Sequence, residues 1–373
     1  MTYPTKKIFE CIDKVSKPGS VLTSQYLENG DFPIVDQGKK FIAGYTNNKS
    51  LVYSDILPVV VFGDHTRAVK FIDFSFAVGA DGTKVLKPID DFEPKFFYYM
   101  LLGLDLGGRG YARHFKLLKE LEIPLPPLET QKKIVAKLDV LLGKIKEAKK
   151  LRTEAQESTN NLLSAELNKI FAEGKAKGWE KIKIVDVCEK VKSINPKEEY
   201  EKEFLYIDIS SVHKGKGVVP YTMYTIGKIP SRARRPIKKD DVLFALTRPY
   251  LKNIAFVDKE YTNPVASTGF AILRSNKKVL FPKYLYYIVT SDWFMEKIIP
   301  LQTGATYPAV SESKIFLQTI PIPPLSEQKK IVAHLDSLSE NIKEIQQAQT
   351  QTADDLTSLE QSILHKAFNG ELV

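Results

Sequence analysis

Basic side chains grouped on short turns are the residues of this chain with the clearest chemical use. GDHTRA at 63–68 gathers His65, Thr66 and Arg67, and TRPYLKN at 247–253 gathers Thr247, Arg248 and Lys252. Arginine and lysine neutralise phosphate oxygens, and together with Thr, Ser, Asn and Gln they reach base edges, so such turns suit a nucleic-acid duplex. Further groups are Lys39 and Lys40 in DQGKKF, Arg109, Arg113 and His114 in GGRGYARH, His213 and Lys214 in SVHKGK, and Arg232, Arg234 and Arg235 in SRARR. Thr303 and Thr306 in LQTGATYP occupy the place that GGRGYARH holds earlier in the chain. Each group reads equally well as a solvated loop. The excess of 54 Lys and Arg over 45 Asp and Glu, a net charge of +9, favours a polyanionic partner.

Catalytic chemistry is harder to place. A self-contained base methyltransferase needs a cofactor loop and an acidic or amide residue before a Pro-Pro pair to hold an extruded base. LGGRGY lacks the strand and helix flanks of a nucleotide cradle, and neither IPLPPL nor IPIPPL supplies that residue. DDFEPK at 90–95 offers an acid-x-Lys pattern of the kind nucleases use, but acids are favoured at a helix start in any case. The five histidines are scattered without metal-ligand spacing, and Cys11 and Cys188 read as buried thiols. The expectation is a non-catalytic chain with no metal and no cofactor. MTYPTKKIFECIDKV has no signal-peptide core and no apolar run is long enough to span a bilayer, so a cytoplasmic location is expected.

The elements that must position these turns come in duplicate. IPLPPLETQKKIVAKLD at 123–139 returns as IPIPPLSEQKKIVAHLD at 320–336, with thirteen of seventeen residues identical. Weaker matches precede it in the same order: IFEC with VDVC, VKFIDF with IAFVDK, and PKFFYY with PKYLYY. Their offset grows steadily along the chain, as two copies of one unit give when the second carries longer loops. The turns at 63–68 and 247–253 fall at equivalent places.

Each unit starts with a mixed α/β part, 1–122 and 179–319. LPVVVF, VKFIDF and TKVL in the first and VLFAL, IAFV and FAIL in the second read as strands, and EPKFFYYMLL and PKYLYYIVTSDWFMEKI as helices with Pro near the start. A tail follows, 123–178 and 320–373, proline-free after its opening and rich in Ala, Leu, Lys, Glu and Gln, which predicts a long helix with Ser326 as an N-cap. Ile134, Leu138, Leu141, Ile145 and Leu162 in one tail, and Ile331, Leu335, Leu338, Ile342, Ile345, Leu356, Leu359 and Ile363 in the other, form a heptad seam. Chain order then predicts an antiparallel coiled coil about 60 Å long between two globular parts, an α+β fold with an internal pseudo-twofold repeat. Gln131 and Gln328, the same in both copies, are either partner contacts or residues that satisfy amides at the helix start.

At these residues the chain resembles a known family. The doubled IPLPPLETQKKIV and IPIPPLSEQKKIV segments and the closing LHKAFNGELV are similar to the specificity (S) subunit of type I restriction–modification systems, the HsdS family. The resemblance implies that the two α/β parts are target recognition domains, each reading half of a bipartite double-stranded DNA sequence. It implies that the helices set the gap and bind two adenine-methylating modification (M) subunits, with restriction (R) subunits in the full complex. A different reading, a stand-alone DNA-binding regulator or coiled-coil interaction protein with duplicated heads, differs in needing no methyltransferase and no fixed gap.

Overall fold

Residues 3–16, 18–54, 56–104, 106, 113–213, 217–218 and 222–372 are described by a computed structural model. The chain divides into two units, one made of residues 1–154 and 349–373, the other of 155–348.

In the first unit VVVFG forms a strand, Val59–Gly63, buried at every position. A strand points successive side chains to opposite faces, so an unbroken apolar run needs a cover on each side. Val60 and Phe62 pack with Phe96, Phe97 and Met100 of helix Pro94–Gly103 and with Ile134 and Leu138 of the first long helix. Val59 and Val61 pack with Val35, Phe76 and Val78. The result is a helix layer on one four-stranded sheet, with a second four-stranded sheet behind it. The first sheet, Ile12–Asp13, Thr83–Pro88, Val59–Gly63 and Val69–Ile72 in spatial order, is antiparallel throughout. The second, Gly44–Thr46, Phe32–Val35, Phe76–Val78 and Val52–Tyr53, has one parallel pairing at its centre.

The second unit repeats this order with its own residues. Cys188–Glu189, Phe270–Ser275, Val242–Ala245 and Ile254–Phe256 form the antiparallel sheet. Thr222–Thr225, Glu203–Ile207, Pro264–Ser267 and Ala233–Pro236 form the mixed one, again with a parallel central pair. Val242 and Phe244 face the helices, while Leu243 and Ala245 face the other sheet. All six runs read as strands from the sequence are strands. The second helical stretch is two helices, Pro282–Thr290 and Asp292–Ile298, because Ser291 Oγ accepts the Phe294 N–H and starts the chain afresh.

A short antiparallel pair joins the start of each α/β part to the entry of its tail: Thr5–Lys7 with Glu122–Pro124, and Glu180–Lys183 with Thr319–Ile322. The tails are helices Leu128–Ala176 and Leu325–Phe368. The carbonyls of Pro127 and Pro324 accept the first helical N–H groups, so Ser326 lies inside the first turn and is not the N-cap. Gly178, at φ +70°, ends the first of them, a conformation that glycine takes without a Cβ penalty.

Within the first unit Lys137 Nζ donates to Leu372 O at 2.6 Å and Lys149 pairs with Glu360. Within the second, Asn160 meets Gln346 at 3.0 Å, Glu166 meets His334 at 2.9 Å and Lys177 meets Glu327 at 3.1 Å. In each unit the partner number falls as the residue number rises, so the stretches run antiparallel. Ile134, Leu138, Ile145 and Leu335 are buried, and Leu141, Ile331, Leu338, Ile342, Leu356 and Ile363 half-buried. Leu162, Ile345 and Leu359 are 42%, 41% and 49% exposed, contrary to the seam read from sequence. The shielded face advances by four residues where three was read, to Leu163, Gln346 and Glu360, because a straight helix turns every 3.6 residues and not 3.5.

Candidate nucleic-acid interface

In the first unit the turn between Val59–Gly63 and Val69–Ile72 carries His65, Thr66 and Arg67. The hairpin closes with Gly63 N–H on Ala68 O and Arg67 N–H on Gly63 O, both at 2.8 Å, and Arg67 takes φ +60°. A Cβ on Gly63 would stand 2.2 Å from Thr66 Oγ1 and 2.7 Å from Gln37 O, so this turn needs glycine there. Gln37 ties three loops together. Its carbonyl accepts from the Thr66 hydroxyl, its Oε1 accepts the His65 N–H at 3.2 Å, and its Nε2 donates to Asp81 O at 2.8 Å. Lys70, 5% exposed, donates from Nζ to Asp36 O at 2.9 Å and Lys40 O at 2.6 Å. Burial lowers the pKa of that ammonium, and the Asp36 carboxylate at 3.7 Å opposes the shift. The consequence is that Lys39 and Lys40, distant in sequence, share one surface with Thr66 and Arg67, all four exposed.

Arg113 is exposed, but His114 is only 1% exposed. Its N–H donates to Asp64 O at 2.8 Å while Asp64 Oδ1 caps the Phe115 N–H, which turns the imidazole inward at the start of a short helix. That location replaces the surface loop expected for it. Arg109 lies outside the described residues.

The equivalent turn in the second unit is longer. A 3-10 turn, Pro249–Leu251, is bracketed by Arg248 at φ +48° and Lys252 at φ +52°. Left-handed backbone at a residue other than glycine costs energy and persists only where surrounding contacts enforce it. Here the contacts are visible. Arg248 N–H donates to Pro308 O at 2.6 Å, its Nη2 to Thr306 O at 3.3 Å, and its guanidinium lies 4.7 Å from the Tyr307 ring centroid. Thr247 bridges Ala309, which in turn exchanges both backbone hydrogen bonds with Thr303. Thr247, Arg248, Thr303 and Thr306 therefore converge, joined by Tyr307, 66% exposed and missed from sequence.

Two basic residues of this unit are committed inward. Lys252 Nζ donates to Thr290 O at 3.0 Å and pairs with Asp292, with its side chain 13% exposed. Arg235, 17% exposed, pairs with Glu312. Both brace the surface and do not present a free cation, a correction to their place among the groups expected to face a partner. Arg234 is half-buried with Nη1 on Ala233 O at 2.9 Å, and Arg232 is exposed. Lys214 and the side chain of His213 lie outside the described residues.

Gln131 and Gln328 are fully buried and make the same three bonds. Gln131 Nε2 donates to Asp91 O at 2.8 Å and Pro126 O at 2.9 Å, and Oε1 accepts the Glu93 N–H at 2.8 Å. Gln328 Nε2 donates to Val279 O at 2.9 Å and Pro323 O at 2.8 Å, and Oε1 accepts the Phe281 N–H at 2.7 Å. Asp139 takes Lys95 at 2.8 Å and the Tyr99 hydroxyl at 2.5 Å, and Asp336 takes Lys283 at 2.8 Å and the Tyr287 hydroxyl at 2.6 Å. These latches seat each long helix on the helix layer of its own unit.

Comparison with known proteins accords with this arrangement. A curated specificity subunit of the HindI type I restriction enzyme of Haemophilus influenzae is 25% identical over 177 residues, covering 47% of this chain and 35% of that protein. The MjaVIII subunit of Methanocaldococcus jannaschii is 24% identical over 69% of this chain and 63% of its own length, so the chain spans less than two thirds of either relative. The EcoR124I/EcoR124II specificity subunit of Escherichia coli is 25% identical over 87% of this chain and 84% of its own length. Among solved structures, a chain from work on assembly and conformational transition of a type I R-M system shares the fold at TM-score 0.73 and 22% identity, covering 100% of this chain and 98% of that one. The HsdS subunit from Thermoanaerobacter tengcongensis matches at TM-score 0.53 and 21% identity over 99% of this chain and 97% of its own. With a family model matched over residues 3–156 and 176–353, the chain belongs to the type I restriction modification DNA specificity domain family.

Proposed function

We infer that this chain is the DNA-reading subunit of a type I restriction–modification complex. Its two target recognition domains, 1–122 and 179–319, each read one half of an asymmetric bipartite duplex target. The regions 123–178 and 320–373 pair as an antiparallel coiled coil that fixes the gap, arranged about a pseudo-twofold axis, and dock two methyltransferase subunits. Restriction subunits join the full complex, and this chain performs no chemistry itself. The observation that carries the reading is the pair of braced basic turns, Arg67 in one unit and Arg248 in the other, held in left-handed backbone at equivalent hairpins of two like sheets. Strain held in the same place twice, under side chains that suit phosphates and base edges, fits a recognition surface better than a solvated loop. Different side chains at the two turns fit two different half-sites.

Co-expression with the cognate methyltransferase subunit, followed by mapping of N6-methyladenine in the host genome, tests this. The expected result is a two-part motif with a constant gap that disappears when this chain is omitted. A folded, stoichiometric complex that methylates no such motif would overturn it.

A further inference from the structure

The doubled seventeen-residue segment can be divided by what the fold uses. Ile123, Pro126, Gln131, Val135 and Leu138 are buried, Asp139 holds its Lys–Tyr latch, and their counterparts at 320–336 do the same. The fold alone accounts for their identity. It does not account for Pro127, Lys132, Lys133 and Ala136, which are exposed and identical to the exposed Pro324, Lys329, Lys330 and Ala333. Leu128 is 41% exposed and matches the half-buried Leu325. Positions 128, 132, 133 and 136 follow one another at steps that a helix gathers on one side, away from Gln131, Ile134 and Leu138. Over the next stretch the exposed positions diverge, Val140 against Ser337, Gly143 against Glu340 and Lys144 against Asn341, and identity returns only at Leu141 and at Ile145, Lys146 and Glu147.

Two solvent-facing patches that stay the same while their surroundings diverge are what two contacts with one kind of partner require. Helix stability does not explain them, since cations gain nothing from the N-terminal end of a helix. Their chemistry is a pair of lysines beside a proline, a leucine and an alanine. A phosphate backbone makes no use of the apolar flank, whereas a protein interface uses an apolar centre with charges at its rim.

We propose that Pro127–Leu128–Lys132–Lys133–Ala136 and Pro324–Leu325–Lys329–Lys330–Ala333 are two equivalent docking patches for an acidic surface on two identical protein subunits. Resting on the function above, that subunit is the methyltransferase. One position inside the patch differs: Glu129 pairs with Lys132 at 2.8 Å, where the second copy has Ser326. The first patch therefore presents one fewer free ammonium and binds more weakly.

The test uses the full chain co-purified with its methyltransferase, with subunit ratio read by native mass spectrometry. Wild type should hold two methyltransferase subunits per chain. K132E/K133E and K329E/K330E should each hold one, and the quadruple variant none, each with a thermal midpoint close to wild type because the altered side chains are exposed. E129S should lower the dissociation constant of the weaker site several-fold. The milder K132Q/K133Q should raise it about tenfold, which separates lost attraction from misfolding. A quadruple variant that retains two subunits overturns the patches, and if it loses salt-dependent DNA affinity instead, the lysines serve phosphates. A wild-type chain that binds no methyltransferase overturns the functional reading itself, an outcome distinct from either.

Discussion

Gln37 and Lys70 present no charge to a partner, yet both recognition loops of the first unit hang from them. Lys70 reaches two carbonyls of the 36–40 loop, and Gln37 reaches the backbone of His65 and the hydroxyl of Thr66. Lys70→Met would leave both carbonyls without their donor, which costs about 1–3 kcal/mol per stranded group. The expected outcome is a lower melting temperature and degraded discrimination in one half-site, with the other unchanged, read by methylation mapping. Arg248→Ala should act on the opposite half-site, at a cost of roughly 1–3 kcal/mol in discrimination if the guanidinium reads a base, and evenly across sequences if it touches phosphate. Neither Gln37 nor Lys70 was legible in the sequence. Lys70 sits in VKFI, where alternation marks either Lys70 and Ile72 or Val69 and Phe71 as the inward set, and in a strand covered on both faces both sets are inward. Tyr307 escaped for a different reason: its ring matters through Arg248, and a contact across 59 positions leaves no local signal.

At the scale of elements, much could be read in advance. Runs such as VVVF and VLFA are too short and too β-branched or aromatic for helices, and Pro94 and Pro282 mark helix starts as expected. The seam was read with its period slightly wrong, and Ser326 was placed outside a helix that Pro324 already opens. The latches on the long helices were invisible because their other halves lie in PKFFYY and PKYLYY. They carry a pH signature. Burial first, and then the bond to Asp139 or Asp336, raises the pKa of Tyr99 and Tyr287 above the ordinary phenol value. A group whose pKa is raised on folding stabilises the fold fully below its unfolded value, about 10, and loses that contribution as pH climbs toward the folded one. Stability should therefore fall from about pH 10 upward, and Tyr99→Phe with Tyr287→Phe should flatten that limb in alkaline denaturation. Gln131→Leu should cost about 3 kcal/mol, since three backbone groups lose their partner at once.

For the whole molecule the proposed reading makes geometry the carrier of specificity. If two readers are joined by an antiparallel helix pair, the gap between half-sites is set by helix length and nothing in the gap is read. Seven residues added to each long helix, two turns or about 10 Å, should widen the gap by about three base pairs and leave both half-sites intact. Replacing residues 1–122 with a second copy of 179–319 is a stricter trial, because it changes what is read and leaves the helices alone. Readers related by a twofold axis approach the duplex from opposite strands, so two identical readers demand an inverted repeat. The present target is expected to be asymmetric because Arg67 stands on a four-step turn with His65 and Thr66, whereas Arg248 stands beside Tyr307 on a longer one. The exchanged chain should methylate a palindromic split motif built from the second half-site alone, with the wild-type gap. A direct repeat of that half-site would show that the readers are related by translation, and the antiparallel arrangement would fall with it.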